Sequence, residues 1–111
     1  MALYRFLVIS NPVPGREADY NDWYDRQHVH DVLKVPGFRA AQRFRVIGDS
    51  TLPGRYVAIY ELETQDPART LAELNSRAGG AEMPLTDALE FATVSASLLE
   101  PLAERLSARP Q

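Results

Sequence analysis

Tyr20-Asn21-Asp22-Trp23-Tyr24-Asp25-Arg26-Gln27-His28-Val29-His30-Asp31-Val32-Leu33-Lys34-Val35-Pro36-Gly37-Phe38 is the stretch whose reading decides the fold. It holds the single tryptophan, two of the five tyrosines and both histidines, and it closes on a strong stop signal, Pro36-Gly37. At about 100° per residue, Tyr20, Trp23, Tyr24, Gln27 and Asp31 share one side of a helix, with His28 at its edge. Val29, Val32 and Leu33 fall nearly opposite. One straight helix cannot bury both stripes against a single sheet. The helix is therefore expected to end or turn near His28, which would sit at its C-terminus, and His30 to Val35 to form a separate short turn.

Before this stretch, Leu3 to Ser10 is short, apolar and rich in β-formers, and reads as a strand. Asn11-Pro12-Val13-Pro14-Gly15 breaks it, and Glu17 and Asp19 suit the positive end of the helix that follows. After it, Gly37 to Ile47 reads as a second strand, with Phe38, Ala40, Gln42, Phe44 and Val46 alternating against Arg39, Ala41, Arg43, Arg45 and Ile47. The loop from Gly48 to Gly54 leads to a third strand, Arg55 to Glu63, completing a hairpin.

Asp66-Pro67 is an N-cap followed by proline in the first turn, and Leu71, Leu74, Asn75 and Ala78 keep a helical stripe until Gly79-Gly80. Ala81 to Leu89 suggests a turn and a short helix. Phe91 to Leu99 alternates as a fourth strand, and Pro101 to Ala108, with Leu102 and Leu106 in register, predicts a short terminal helix.

The order β, α, β, β, α, β implies an α+β, ferredoxin-like single domain over residues 1–111: one four-stranded antiparallel sheet with two helices on one face. The other face is left uncovered although several of its side chains are apolar. Exposed apolar area of that kind marks an interface, so a homodimer packed sheet to sheet about a two-fold axis is expected.

Composition narrows the function. Hydrophobic residues make up 45% and charged ones 24%, values of a globular chain. A net charge of −3 without a clustered basic face argues against nucleic acid as a partner. No apolar run reaches the roughly 18 residues of a membrane span, and no signal-peptide pattern opens the chain, so a cytoplasmic protein is expected. With no cysteine, thiolate nucleophiles, cysteine-ligated zinc and iron–sulfur clusters are excluded. No nucleophile elbow, phosphate-binding glycine loop, dinucleotide fingerprint or helical His-Glu-x-x-His occurs. His28 and His30 lie about 200° apart on a helix, so a metal site is not expected there.

Trp23-Tyr24-Asp25-Arg26-Gln27-His28, then Asp31-Val32-Leu33, Val35-Pro36-Gly37-Phe38 and Arg43-Phe44, resemble the dimeric α+β barrel superfamily and, within it, the EthD-like small proteins. The likeness is specific from about Asp19 to Arg45 and topological elsewhere. It implies a homodimer whose two sheets form a barrel, with a mainly apolar cavity between each subunit's first helix and its sheet. Members include cofactor-free monooxygenases, lactone isomerases, polyketide cyclases and dehydratases, so fold alone does not choose a chemistry.

His28 is the candidate catalytic residue, since an imidazole with an ordinary pKa of about 6.5 is readily tuned into a general acid or base; the plainer reading is a histidine at a helix end. Trp23, Tyr24 and Tyr20 are candidates for holding a flat substrate, at a spacing that equally suits core packing. Arg43 is a further candidate. With Arg39 it shares a strand face that could meet a carboxylate or enolate in the cavity, or form ion pairs with Glu61 or Glu63. Tyr56 and Tyr60 alternate with Val57 and Ile59, and the pattern leaves open which pair faces the helices. No cofactor is expected; some barrel relatives bind haem through one histidine, and nothing here favours it. The function expected is an enzyme acting on an apolar or aromatic oxygenated metabolite by His-mediated proton transfer, of isomerase, cyclase, dehydratase or cofactor-free monooxygenase type. The alternative is a non-catalytic small-ligand binding protein.

Overall fold

A computed structural model of the chain describes residues 2–110. Four strands, β1 (Ala2–Pro12), β2 (Phe38–Arg45), β3 (Tyr56–Thr64) and β4 (Leu89–Leu99), form one antiparallel sheet in the order β2-β3-β1-β4. Helix α1 (Glu17–Trp23), α2 (Val29–Leu33) and α3 (Pro67–Arg77) lie on one face of it. This is the α+β, ferredoxin-like arrangement that the element order implies.

The two stripes of the first helix are reconciled differently from the expected break. Tyr24–His28 is a π-helical turn joining α1 to α2, so the helix winds on through His28 instead of ending there. A π turn bonds residue i to i+5 and takes in one extra residue. Val32, eight positions after Tyr24, is thereby brought to the sheet side that a continuous α-helix would give to position seven. Tyr20, Tyr24, Val32 and Val35 are all buried in one core.

A second irregularity re-aims β2. The register with β3 runs Phe38↔Leu62, then Ala40↔Glu61, Ala41↔Tyr60 and Arg43↔Ala58, so Arg39 is the extra residue of a β-bulge. Strict alternation would put Phe38 and Arg43 on opposite faces; the bulge puts both toward the helices and removes Arg39 from the face of Arg43. Arg39 pairs with Glu63 at 2.8 Å, and Glu61 pairs with Arg5 at 3.6 Å on the open face.

The register also settles which tyrosines face the helices. Tyr56, Ala58, Tyr60 and Leu62 do so and are buried, with the buried Ser10 and the half-buried Val8, Phe6 and Tyr4 opposite them on β1. The open face carries Leu3, Leu7, Ile9, Phe44, Val57, Ile59 and Leu99, of which Leu3, Phe44 and Leu99 are exposed. Ile9 is covered by the β2–β3 loop, where Gly54 lies so close that a Cβ would stand 2.8 Å from the Ser10 carbonyl oxygen. Gly37, which ends the opening stretch, has φ +100° and sits against Thr70 of α3, a place that favours glycine on both counts.

Two expectations in the C-terminal third are corrected. Ala81–Ala88 contains turns and a single bridge, Ala78↔Met83, but no short helix. Residues 100–110 form no helix or strand, with Leu102 and Leu106 at 99% and 91% exposure. A segment of about eight residues cannot sustain a helix without an apolar surface to pack on, and those two leucines meet none.

Candidate functional site

α1 and the π turn carry the candidate residues to the helix-facing side of β2 and β3. Tyr20 is fully buried, its hydroxyl 2.6 Å from Ser10 Oγ and its ring 5.3 Å from Tyr56. Tyr24 is the hub. Its ring lies 5.5 Å from Tyr20, 5.0 Å from Trp23 and 5.3 Å from His28, with the Arg43 guanidinium 4.2 Å above it. The structure thus gathers Trp23, Tyr24, Tyr20, His28 and Arg43 into one contiguous cluster, although Arg43 comes from a different element.

His28 stacks on Trp23 at 4.5 Å with 23° between the ring planes, and Trp23 is fixed in turn by donating Nε1–H to the Pro84 carbonyl at 3.0 Å. His28 Nδ1 is sealed from solvent and has no hydrogen-bond partner. Burial pulls its pKa down from 6.5 to about 4, against the smaller opposing pull of Asp31. At neutral pH the ring is uncharged, so it is able to accept a proton but is a weak base. His30 is exposed and remote in orientation, and no group of three or more metal-ligating side chains occurs among the described residues.

Arg43 does not pair with Glu61 or Glu63, because the bulge turns it to the helices. It donates Nη1–H to Asp25 and Nη2–H to Asn21, each at 2.7 Å, while its Nε is buried without a partner. A cleft of about 310 Å³ beside it is lined by Asn21, Asp25, Arg43, Phe44, Arg45 and Tyr56. The Tyr56 hydroxyl donates to Glu17, so this rim is a polar network that ties α1 to the edge of the sheet. A larger groove of about 700 Å³ runs between the Pro36-Gly37 turn and α3. None of the cluster residues lines it, and its polar groups make ordinary contacts, such as the Asp66 cap on Arg69 N–H and the Thr70–Thr64 hydrogen bond.

Burial also raises the tyrosines. Tyr24 is pushed up to about 12 with Tyr20 adding to the effect, and Tyr60 is pushed up further, by burial first and then by the neighbouring Tyr24 phenol. Both are neutral donors at any physiological pH. Tyr60 was not a sequence candidate, since the alternation on β3 is equally good on both faces. Its Oη is the third buried polar atom without a partner, after His28 Nδ1 and Arg43 Nε, and all three belong to residues that adjoin Tyr24.

No family model matches the sequence, and no curated protein matches it. Solved structures do resemble it. A heme-degrader, MhuD, from Mycobacterium tuberculosis, solved with two hemes in its active site, superposes with a TM-score of 0.62 at 16% identity, covering 92% of this chain and 98% of that one. A proposed monooxygenase from Shewanella loihica gives a TM-score of 0.61 at 13% identity over 93% and 97% of the two chains. An EthD family protein from Bacillus halodurans gives 0.52 at 12% identity over 90% and 99%. The chain shares the α+β fold of these structures, an EthD family protein among them.

Proposed function

We propose that the protein is a small-molecule enzyme in which His28 moves a proton to or from an apolar or aromatic oxygenated metabolite held against Trp23 and Tyr24. The observation that carries this reading is the neutral imidazole, stacked on Trp23 and set edge-on to Tyr24 at the end of a π turn, a distortion often found at functional sites. Similarity of fold to MhuD and to a proposed monooxygenase supports a small ligand in general. The reading needs no haem, since proton transfer by an imidazole requires no cofactor.

A base whose conjugate acid has a pKa of about 4 stays unprotonated through the neutral range. Turnover of an aromatic ketone or phenol drawn from a substrate panel is therefore expected to be flat from pH 5 to 8 as far as His28 is concerned. His28→Asn is expected to lower it by about 10²–10⁴-fold. Unchanged turnover in that variant refutes proton transfer by His28. The weakness of the same base favours the second reading, a non-catalytic ligand-binding protein, and recovery of every bound compound unaltered would establish it.

The open sheet face, with Leu3, Leu7, Phe44, Val57, Ile59 and Leu99, is assigned in this proposal to a homodimer packed sheet to sheet. Light scattering at micromolar concentration is expected to return twice the 12.4 kDa chain mass, and Phe44→Asp to return the monomer. A monomeric wild type removes the barrel from the proposal.

A further inference from the structure

The helix layer does not cover the sheet evenly. One row of helix-facing neighbours runs Ala41, Tyr60, Phe6, Leu98 across the strands in the order β2, β3, β1, β4. Along it, exposure rises from 1% at Tyr60 through a half-buried Phe6 to 37% at Leu98. The next row, Arg43, Ala58, Val8, Ala96, is built largely of small side chains. The β1–β4 half of the sheet therefore presents an apolar surface beside the helices, and Phe6 stands between its exposed margin and Tyr60, with ring centroids 6.2 Å apart. Tyr60 is also flanked by Phe38 at 5.9 Å.

A tyrosine hydroxyl in such surroundings normally finds a partner, and one left without costs stability. The Tyr60 Oη has none of good geometry, although the Tyr24 phenol lies within reach of it. A side chain that keeps an unpaired donor among Phe6, Phe38 and Tyr24, where phenylalanine would pack as well, has a use for that donor outside the protein's own hydrogen bonds. The missing acceptor is taken as uncharged, because the cation nearest these rings, the Arg43 guanidinium, is already engaged by Asp25 and Asn21 and a carboxylate would lose its hydration here.

We propose that the Tyr60 hydroxyl is the hydrogen-bond donor to a neutral carbonyl oxygen of the ligand, which enters past Phe6 from the β1–β4 side. This rests on the reading that the helix side of the sheet binds a small oxygenated molecule, and it narrows that molecule to an aromatic or apolar carbonyl compound. Tyr60 here positions the ligand; it takes no proton.

The test uses the full chain and two compounds of nearly equal shape, acetophenone and α-methylstyrene, in which a methylene replaces the carbonyl oxygen. Titration followed by nuclear magnetic resonance is expected to show the wild type favouring acetophenone at least about fivefold, the range set by leaving a buried hydroxyl unpaired. Tyr60→Phe is expected to abolish that preference, to leave α-methylstyrene affinity unchanged and to melt no lower than the wild type. Retention of the preference in Tyr60→Phe, or its absence in the wild type, overturns the assignment of Tyr60 and leaves the binding site standing. Failure of both compounds to bind saturably overturns the binding site itself, and the assignment with it. A measurement without any variant stands beside these: the infrared carbonyl stretch of bound acetophenone is expected below its position in hexane, and an unshifted band refutes the hydrogen bond.

Discussion

Acidification from pH 7 to pH 4 is expected to cost the fold about 3 kcal/mol through His28 alone, from a fall of 6.5 to about 4 in its pKa at 1.36 kcal/mol per unit. In the unfolded chain the imidazole binds a proton below pH 6.5; in the folded chain, where burial disfavours the charge, it does so only below about 4. Between those values the unfolded state holds more protons, so stability falls as pH falls. It is undiminished above 6.5 and the loss is complete once pH passes below 4. Urea unfolding at pH 7, 5.5 and 4.5 measures it. His28→Gln, which carries no titrating ring, is expected to remove most of the slope, and an equal slope in variant and wild type would assign the acid lability to other groups.

Replacing Tyr24 by alanine is expected to cost about 3–5 kcal/mol, the range for deleting a buried aromatic side chain. The loss falls at one point but is felt in four directions, since Trp23, Tyr20, His28 and the Arg43 guanidinium all rest on that ring. Tyr24→Phe keeps every one of those ring contacts and is expected to stay within about 1.5 kcal/mol of the wild type. Thermal or urea denaturation of the pair separates the ring from the hydroxyl. Equal losses in both would shift the importance from the packing of the ring to its phenol.

The fold was largely legible because its signals are local. Asp66-Pro67 and Gly79-Gly80 frame α3, and β1 and β3 alternate over enough residues to be recognised. The errors arose where one inserted residue changed the phase. In the opening stretch the switch from Tyr20 and Tyr24 to Val32 was visible, but a helix that stops and a helix that takes in a π turn leave the same trace in the sequence. On β2 the bulge at Arg39 reversed the parity of everything beyond it, and so moved Arg43 from an expected partnership with Glu61 or Glu63 to Asp25 and Asn21. Leu102 and Leu106 were helical in spacing only, for spacing describes a stripe and not what the stripe packs on. All five members of the cluster around Tyr24 were candidates in the sequence, four of them on one helix and Arg43 on β2. Tyr60 was not, because the face of a strand with apolar residues on both sides is decided by its neighbours.

β4 is an edge strand, hydrogen-bonded to β1 alone, and its last two residues look in opposite directions: Leu98 beside Phe6 over the helix side, Leu99 beside Arg5 on the open side. Two adjacent residues of one edge strand thus serve two surfaces. A molecule that displaced Leu98 would act on Leu99 through the main chain they share, and pressure on Leu99 would act on Leu98 in the same way. Such a coupling is a shared free energy, equal in both directions: to whatever extent occupancy of the helix side favours contact on the open side, that contact tightens occupancy by the same factor.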